Sequence, residues 1–144
     1  MSTALQGIPC SLKYNNGVTM SLTTIDQLNA ILTDVSSRVE CIRGIVISST
    51  DGLKIADMFR DHSYDTQVAH AINASLVGLA NRSVHNLGLP LFDHATIHTG
   101  DGIIVVFNLN DASLLAMLDL GANVGLATIE LQHVAEQVKK VMRL

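Results

Sequence analysis

The sequence predicts an α/β (α+β) fold in which a five-stranded antiparallel sheet is sandwiched between helices, in the order α-β-β-α-β-β-β-α. Three observations lead there. Asp51-Gly52 and Asp101-Gly102 lie between β-prone runs, and Asp-Gly between such runs marks a tight hairpin, so the strands are antiparallel. The runs Ile45-Val46-Ile47, Ile103 to Phe107 and Leu114 to Leu118 are apolar without alternation, as in strands covered on both faces. Three amphipathic segments at helical spacing are available to cover them.

The first helix is expected to begin at Thr24, where Thr24-Ile25-Asp26-Gln27 reads as a capping box. Ile25, Leu28, Ile31, Leu32, Val35 and Val39 then fill one arc. A strand from Ile42 to Ser48 follows, then a turn through Asp51-Gly52 with positive φ at both residues, and a second strand from Leu53 to Met58. The middle helix is expected from about Asp65 to Leu87, closed by Gly88, and would be about 34 Å long at ~1.5 Å per residue. Its core arc is read as Val68, Ile72, Leu76, Leu79, Ala80 and Leu87. The opposite side carries the small residues Ala71, Ala74, Ser75 and Gly78, and Arg82 is the one formal charge between Thr66 and Leu87.

An exposed helix of this length ordinarily carries several charges. The small side is therefore expected to pack against a second copy of the same helix in a twofold homodimer. Strands follow from Phe92 to Thr99, Ile103 to Leu109 and Ser113 to Leu118, and a last helix runs from about Leu126 to Met142. Residues 22–144 are expected to form one domain. Residues 1–21 are expected to be an extension, flexible or folded as a small hairpin with Leu12/Tyr14 opposite Val18/Met20 about Asn16-Gly17.

Composition excludes several function classes. At 144 residues, with 48% hydrophobic and 15% charged residues, the chain can bury a core without staples. A net charge of −4, three Phe, two Tyr and no Trp fit no nucleic-acid binder, which needs a basic stripe and stacking aromatics. The longest apolar runs are far short of the ~20 residues that span a bilayer, so no direct membrane insertion is expected. The first twenty residues lack a signal-peptide pattern, and Cys10 and Cys41 form no CxxC pair, so both read as reduced thiols of a cytoplasmic protein.

No phosphate-binding loop, nucleophile elbow or zinc-protease motif occurs, so neither a catalytic residue nor a cofactor is expected. Asp57, Asp61 and Asp65 depart from calcium-loop spacing and read as solubilising residues. His94, Thr96 and His98 share one strand face, with the two imidazoles about 13 Å apart along it. One chain cannot chelate an ion with that pair, but twofold pairing of this strand would set His94 opposite His98 of the second chain.

The element order, the stretch Ile45-Val46-Ile47-Ser48-Ser49-Thr50-Asp51-Gly52, the small-residue middle helix and Gly121-Ala122-Asn123-Val124-Gly125-Leu126-Ala127 together resemble the Roadblock (dynein light-chain-seven) family over about residues 22–144. The resemblance implies a homodimer whose middle helices and neighbouring edge strands meet across the twofold in one continuous sheet. The dimer residues are then Ala71, Ala74, Ser75, Gly78, Arg82, His94, Thr96 and His98. It also implies a non-enzymatic partner of a Ras-like small GTPase, acting as scaffold or as stimulator of GTP hydrolysis. The final helix looks like the prokaryotic, GTPase-regulating branch. Lys139, Lys140 and Arg143 are the residues expected to touch an acidic GTPase surface. A motor-cargo adaptor and a small-ligand sensor are the alternative readings.

Overall fold

Five strands form one antiparallel sheet: β1 (Ile42–Ser49), β2 (Lys54–Phe59), β3 (His94–His98), β4 (Gly102–Asn108) and β5 (Ala112–Asp119), in spatial order β2-β1-β5-β4-β3. The computed structural model describes residues 17–144, with side chains from residue 24 onward. Helices α1 (Gly17–Arg38) and α3 (Val124–Met142) cover one face of the sheet, and α2 (Thr66–Asn86) covers the other.

Cross-strand register explains the absence of alternation in the strands. Ile47, Leu114 and Phe107 align across β1, β5 and β4 and face α1 and α3. The adjacent row, Val46, Leu115 and Val106, faces α2 and packs on Val77. The α1/α3 layer holds the larger core, where Leu28, Leu32 and Val35 meet Leu131, Val134 and Val138 over the sheet. Full burial of each such side chain contributes about 1.5–3 kcal/mol. Arg60, just past β2, donates to the carbonyls of Ser36, Val39 and Ile42. It thereby neutralises the carbonyl end of α1 and ties that helix to the sheet.

Helix α1 already includes Gly17, so the capping box expected at Thr24 lies inside it. Once the Leu28–Val35 face has docked, each added residue contributes a hydrogen bond without new nucleation, and the helix extends backward. Val18 and Met20, expected in a hairpin arm, are helical; the opposing arm, Leu12 and Tyr14, lies outside the described residues.

Turn geometry differs from the expectation as well. Gly52 has φ 83°, whereas Asp51 is not among the residues with positive φ. Gly52 N donates to Ser49 O and Ser49 N to Leu53 O, which makes a three-residue loop with glycine in the left-handed position. At the second Asp-Gly, neither residue has positive φ. Gly102 is required by space instead: a Cβ there would lie 2.8 Å from Leu118 O. Arg43, which pairs with Asp119 at 2.7 Å and donates to Asp101 O, crowds the same spot.

Helix α2 meets the core arc read from the sequence only in part: Leu76 and Ala80 are half-buried, Leu76 against the sheet. Val68, Ile72, Leu79 and Leu87 are exposed, while His70, Asn73 and Val77 are buried against the sheet. The reason is polar. The sheet face beneath α2 carries Ser48, Asp57 and Ser113, and these require hydrogen-bonding partners from the helix.

Candidate functional site

Helix α2 is held at both ends. Asp65 accepts from Val68 N at 3.2 Å as its N-cap, and Gly88, with φ 75°, lets Leu89 N close on Val84 O at 2.9 Å. Its seat on the sheet is a buried polar chain. Asn73 Nδ2 donates to Ser113 O and to Ser48 Oγ, both at 3.0 Å. Because Ser113 O can only accept, the orientation of the Asn73 amide is determined. The Ser48 hydrogen then goes to His70 Nδ1 at 2.7 Å, and Nε2–H donates to Asp57 Oδ2 at 2.9 Å. Lys54 Nζ lies 3.6 Å from the other Asp57 oxygen and carries the chain to the surface.

Sequence motifs did not reveal this Ser–His–Asp chain, because its members come from β1, α2 and β2 with no characteristic spacing. Its composition is that of a hydrolase triad, but Ser48 is 0% and His70 2% exposed. No substrate carbonyl reaches the hydroxyl, and the chain instead fixes the azimuth of α2.

That azimuth determines what α2 presents to solvent. Val68, Ile72, Ser75, Leu79 and Arg82 form an outer stripe at three- and four-residue spacing, with Leu79 56% exposed. The apolar surface continues into the loop after α2 through Leu87, Leu89 and Leu91, and onto β3 at Ile97. These exposed large apolar side chains are the candidate for an interaction surface. Strand β3 is a sheet edge, so one row of its backbone groups is unpaired among the described residues.

Ser75 and Arg82 lie on the outer stripe, and Ala71 is exposed beside it. Ala74 and Gly78 are half-buried on the flank. Ala71 and Ala74 also serve their own chain, since a Cβ on Gly52 would stand 3.3 Å from Ala71 Cα and 3.7 Å from Ala74 Cβ. The Arg82 guanidinium lies against Gly78. His94 and His98 are exposed on β3 with Thr96 half-buried between them. Lys139, Lys140 and Arg143 cluster at the end of α3, on the layer opposite α2, so the two groups of expected contact residues are not brought together.

Other titratable groups sit in ordinary supporting roles. Burial pushes the Cys41 thiol up, with a smaller contribution from the Asp119 carboxylate. Hydrogen bonding to Asp119 raises Arg43, and bonding to Glu130 and then Asp34 raises Arg38. The Ser63 hydroxyl, followed by its backbone N–H, lowers Asp61. A groove of about 420 Å³ opens between the end of α1 and the start of α3, bordered by Arg38, Cys41, Leu126 and Glu130. Among the described residues, no three His, Cys, Asp or Glu side chains gather to hold a metal ion, and no helix is long and apolar enough to cross a membrane.

A five-stranded antiparallel sheet with two helices on one face and one on the other is the Roadblock fold. Myxococcus xanthus MglB has it, with a TM-score of 0.78 at 12% identity over 92% of this chain and 95% of that one. A Roadblock/LC7 domain from Streptomyces avermitilis has a TM-score of 0.73 at 14% identity, over 81% and 98% of the two chains. An MglB solved in a tetrameric arrangement has a TM-score of 0.75 at 14% identity, over 93% and 96%. In sequence, the uncharacterised protein MJ1340 of Methanocaldococcus jannaschii is 25% identical over 103 residues, covering 72% of this chain and 90% of that protein. Residues 28–119 match the Roadblock/LC7 domain family, and the chain belongs to it.

Proposed function

We propose that the chain is a non-enzymatic, cytoplasmic regulator that works as a homodimer, binds a Ras-like small GTPase, and scaffolds it or stimulates its hydrolysis of GTP. The observation that carries the reading is the outer face of α2. Val68, Ile72 and Leu79 point away from their own sheet, on a helix whose inner face is held by Val77 packing and by the bonds of His70 and Asn73. A second copy of α2, with the two β3 edges paired alongside, would cover this surface. In that arrangement Ser75 and Gly78 permit close approach, Ala71 and Ala74 border the contact, and Arg82, His94, Thr96 and His98 line its margin.

The GTPase partner rests on membership of the Roadblock/LC7 family and on the chemistry left free by such a dimer. Lys139, Lys140 and Arg143 stay on the far layer, at a helix end where three cations can meet an acidic surface. Any stimulation would position the GTPase's own residues, because Ser48 and His70 are buried beneath α2.

The test is a pull-down of the small GTPases from the same cell, each loaded with GDP or with a non-hydrolysable GTP analogue, paired with single-turnover hydrolysis assays. Binding of one GTPase, weakened when Lys139, Lys140 and Arg143 are changed together to Glu, is the expected result. Neither binding nor a change in rate with any of them contradicts the proposal.

A further inference from the structure

We propose that the dimer seam is a metal site: one divalent transition-metal ion of the zinc class, per chain, held between His94 of one copy and the partner's His98. The inference rests on the homodimer reading above and adds a ligand to it.

The hydrogen bonds that bracket β3 indicate which backbone groups are free. Asn108 N donates to Asp93 O at 2.9 Å, and Thr99 N donates to Gly102 O at 2.9 Å. In an antiparallel pair the residues that exchange hydrogen bonds alternate, so positions 93, 95, 97 and 99 turn their backbone toward β4. The backbone groups of His94, Thr96 and His98 therefore point outward, along the unpaired edge. Twofold antiparallel pairing that uses all three sets Thr96 opposite its own copy. His94 then stands directly opposite the partner's His98, twice per dimer.

Directly opposed residues in such a pair have Cβ atoms about 4.5–5.5 Å apart. From that separation two imidazoles converge on one ion at the ~2.0–2.1 Å distances typical of zinc. Both rings project from the same sheet face, because positions 94 and 98 share the strand's two-residue period.

One of the two ligands is already oriented. The His94 ring stacks on Phe107 with centroids 5.2 Å apart and planes 19° apart. The Asp93 carboxylate lies 3.6 Å from His94 Nδ1. At that distance the pair is longer than a hydrogen bond, so the ring's orientation comes from its stacking on Phe107. Two imidazoles with no thiolate suit zinc, copper(II) or nickel(II) rather than calcium or magnesium.

The experiment titrates zinc chloride into the metal-free full-length protein by calorimetry and follows its mass by sedimentation. The wild type is expected to bind one ion per chain as a dimer. His94→Ala and His98→Ala each remove one ligand from every site and should weaken binding at least tenfold. Mixing the two histidine variants is the decisive arm. Each mixed dimer regains one site made of two histidines, so with free exchange of chains the mixture recovers about a quarter of the wild-type stoichiometry. A dimer that binds no zinc, or a mixture that binds no better than the separate variants, overturns the metal site and leaves the dimer standing. A monomer at every concentration, with and without zinc, overturns both.

Discussion

Replacing His70 with Ala removes the centre of the polar seat under α2. The imidazole bridges Ser48 Oγ at 2.7 Å and Asp57 Oδ2 at 2.9 Å, and it is 2% exposed. Without it the Ser48 hydroxyl loses its acceptor in a site that water does not reach. Leaving a buried donor unsatisfied costs about 1–3 kcal/mol. Asp57 keeps Lys54 at 3.6 Å, so its loss is the smaller one. The space vacated by the ring adds to the total, and the expected cost is about 2–4 kcal/mol. Urea unfolding at fixed protein concentration should show it as a midpoint lower by about 1–2 M, given slopes of ~1–3 kcal/mol/M.

Ser48→Ala in the same background should cost less than Ser48→Ala alone, because the orphaned hydroxyl is then gone. A coupling of about 1 kcal/mol or more is expected between the two changes. A His70→Ala protein within 0.5 kcal/mol of wild type (about the scatter of surface changes), or additive changes at the two positions, would refute the idea that this chain seats α2.

Gly102→Ala should destabilise the fold by about 1–3 kcal/mol, since the new Cβ would fall 2.8 Å from Leu118 O in the neighbouring strand, and thermal unfolding measures the shift. Gly100→Ala in the same turn meets nothing within 4 Å and should be close to neutral. The Cys41 thiol is held neutral by burial, so its folded pKa stands above the unfolded one. The resulting stabilisation is complete below the unfolded pKa and is lost as pH rises through the folded value. In a Cys10→Ser background, Cys41 should therefore react with iodoacetamide more slowly in the native chain than in urea at pH 8, and equal rates would contradict the assignment.

The strands were legible because unbroken apolar runs bounded by turn residues mark strands covered on both faces. Ile45-Val46-Ile47 lacks alternation because its two faces meet two different helical layers. For α1 and α3 the apolar arc is also the buried arc apart from Ile25, since strand residues beneath them such as Ile47, Leu114 and Phe107 are apolar. Helix α2 defeated the same rule. Val68, Ile72 and Leu79 point outward, while Leu76 and Val77 pack inward beside a polar seat on Ser48, Asp57 and Ser113, which lie far away in sequence. Hydrophobic periodicity locates an apolar face without saying whether that face meets its own chain or another molecule. The scarcity of charge on α2 is what suggests a partner; which of its residues face outward is seen only in the structure. Gly102 was read as a turn glycine because local dihedral rules see a turn and not the approach of Leu118.

The central claim is that a second copy of the chain covers the outward face of α2. Sedimentation velocity of the wild type beside Leu79→Arg, at micromolar concentration, tests it most directly. Leu79 is surface in the single chain, so the charge should leave the fold and its circular dichroism intact. The account predicts a dimeric wild type and a folded, monomeric variant. Two species of equal mass, whether both single or both paired through the altered face, would contradict it.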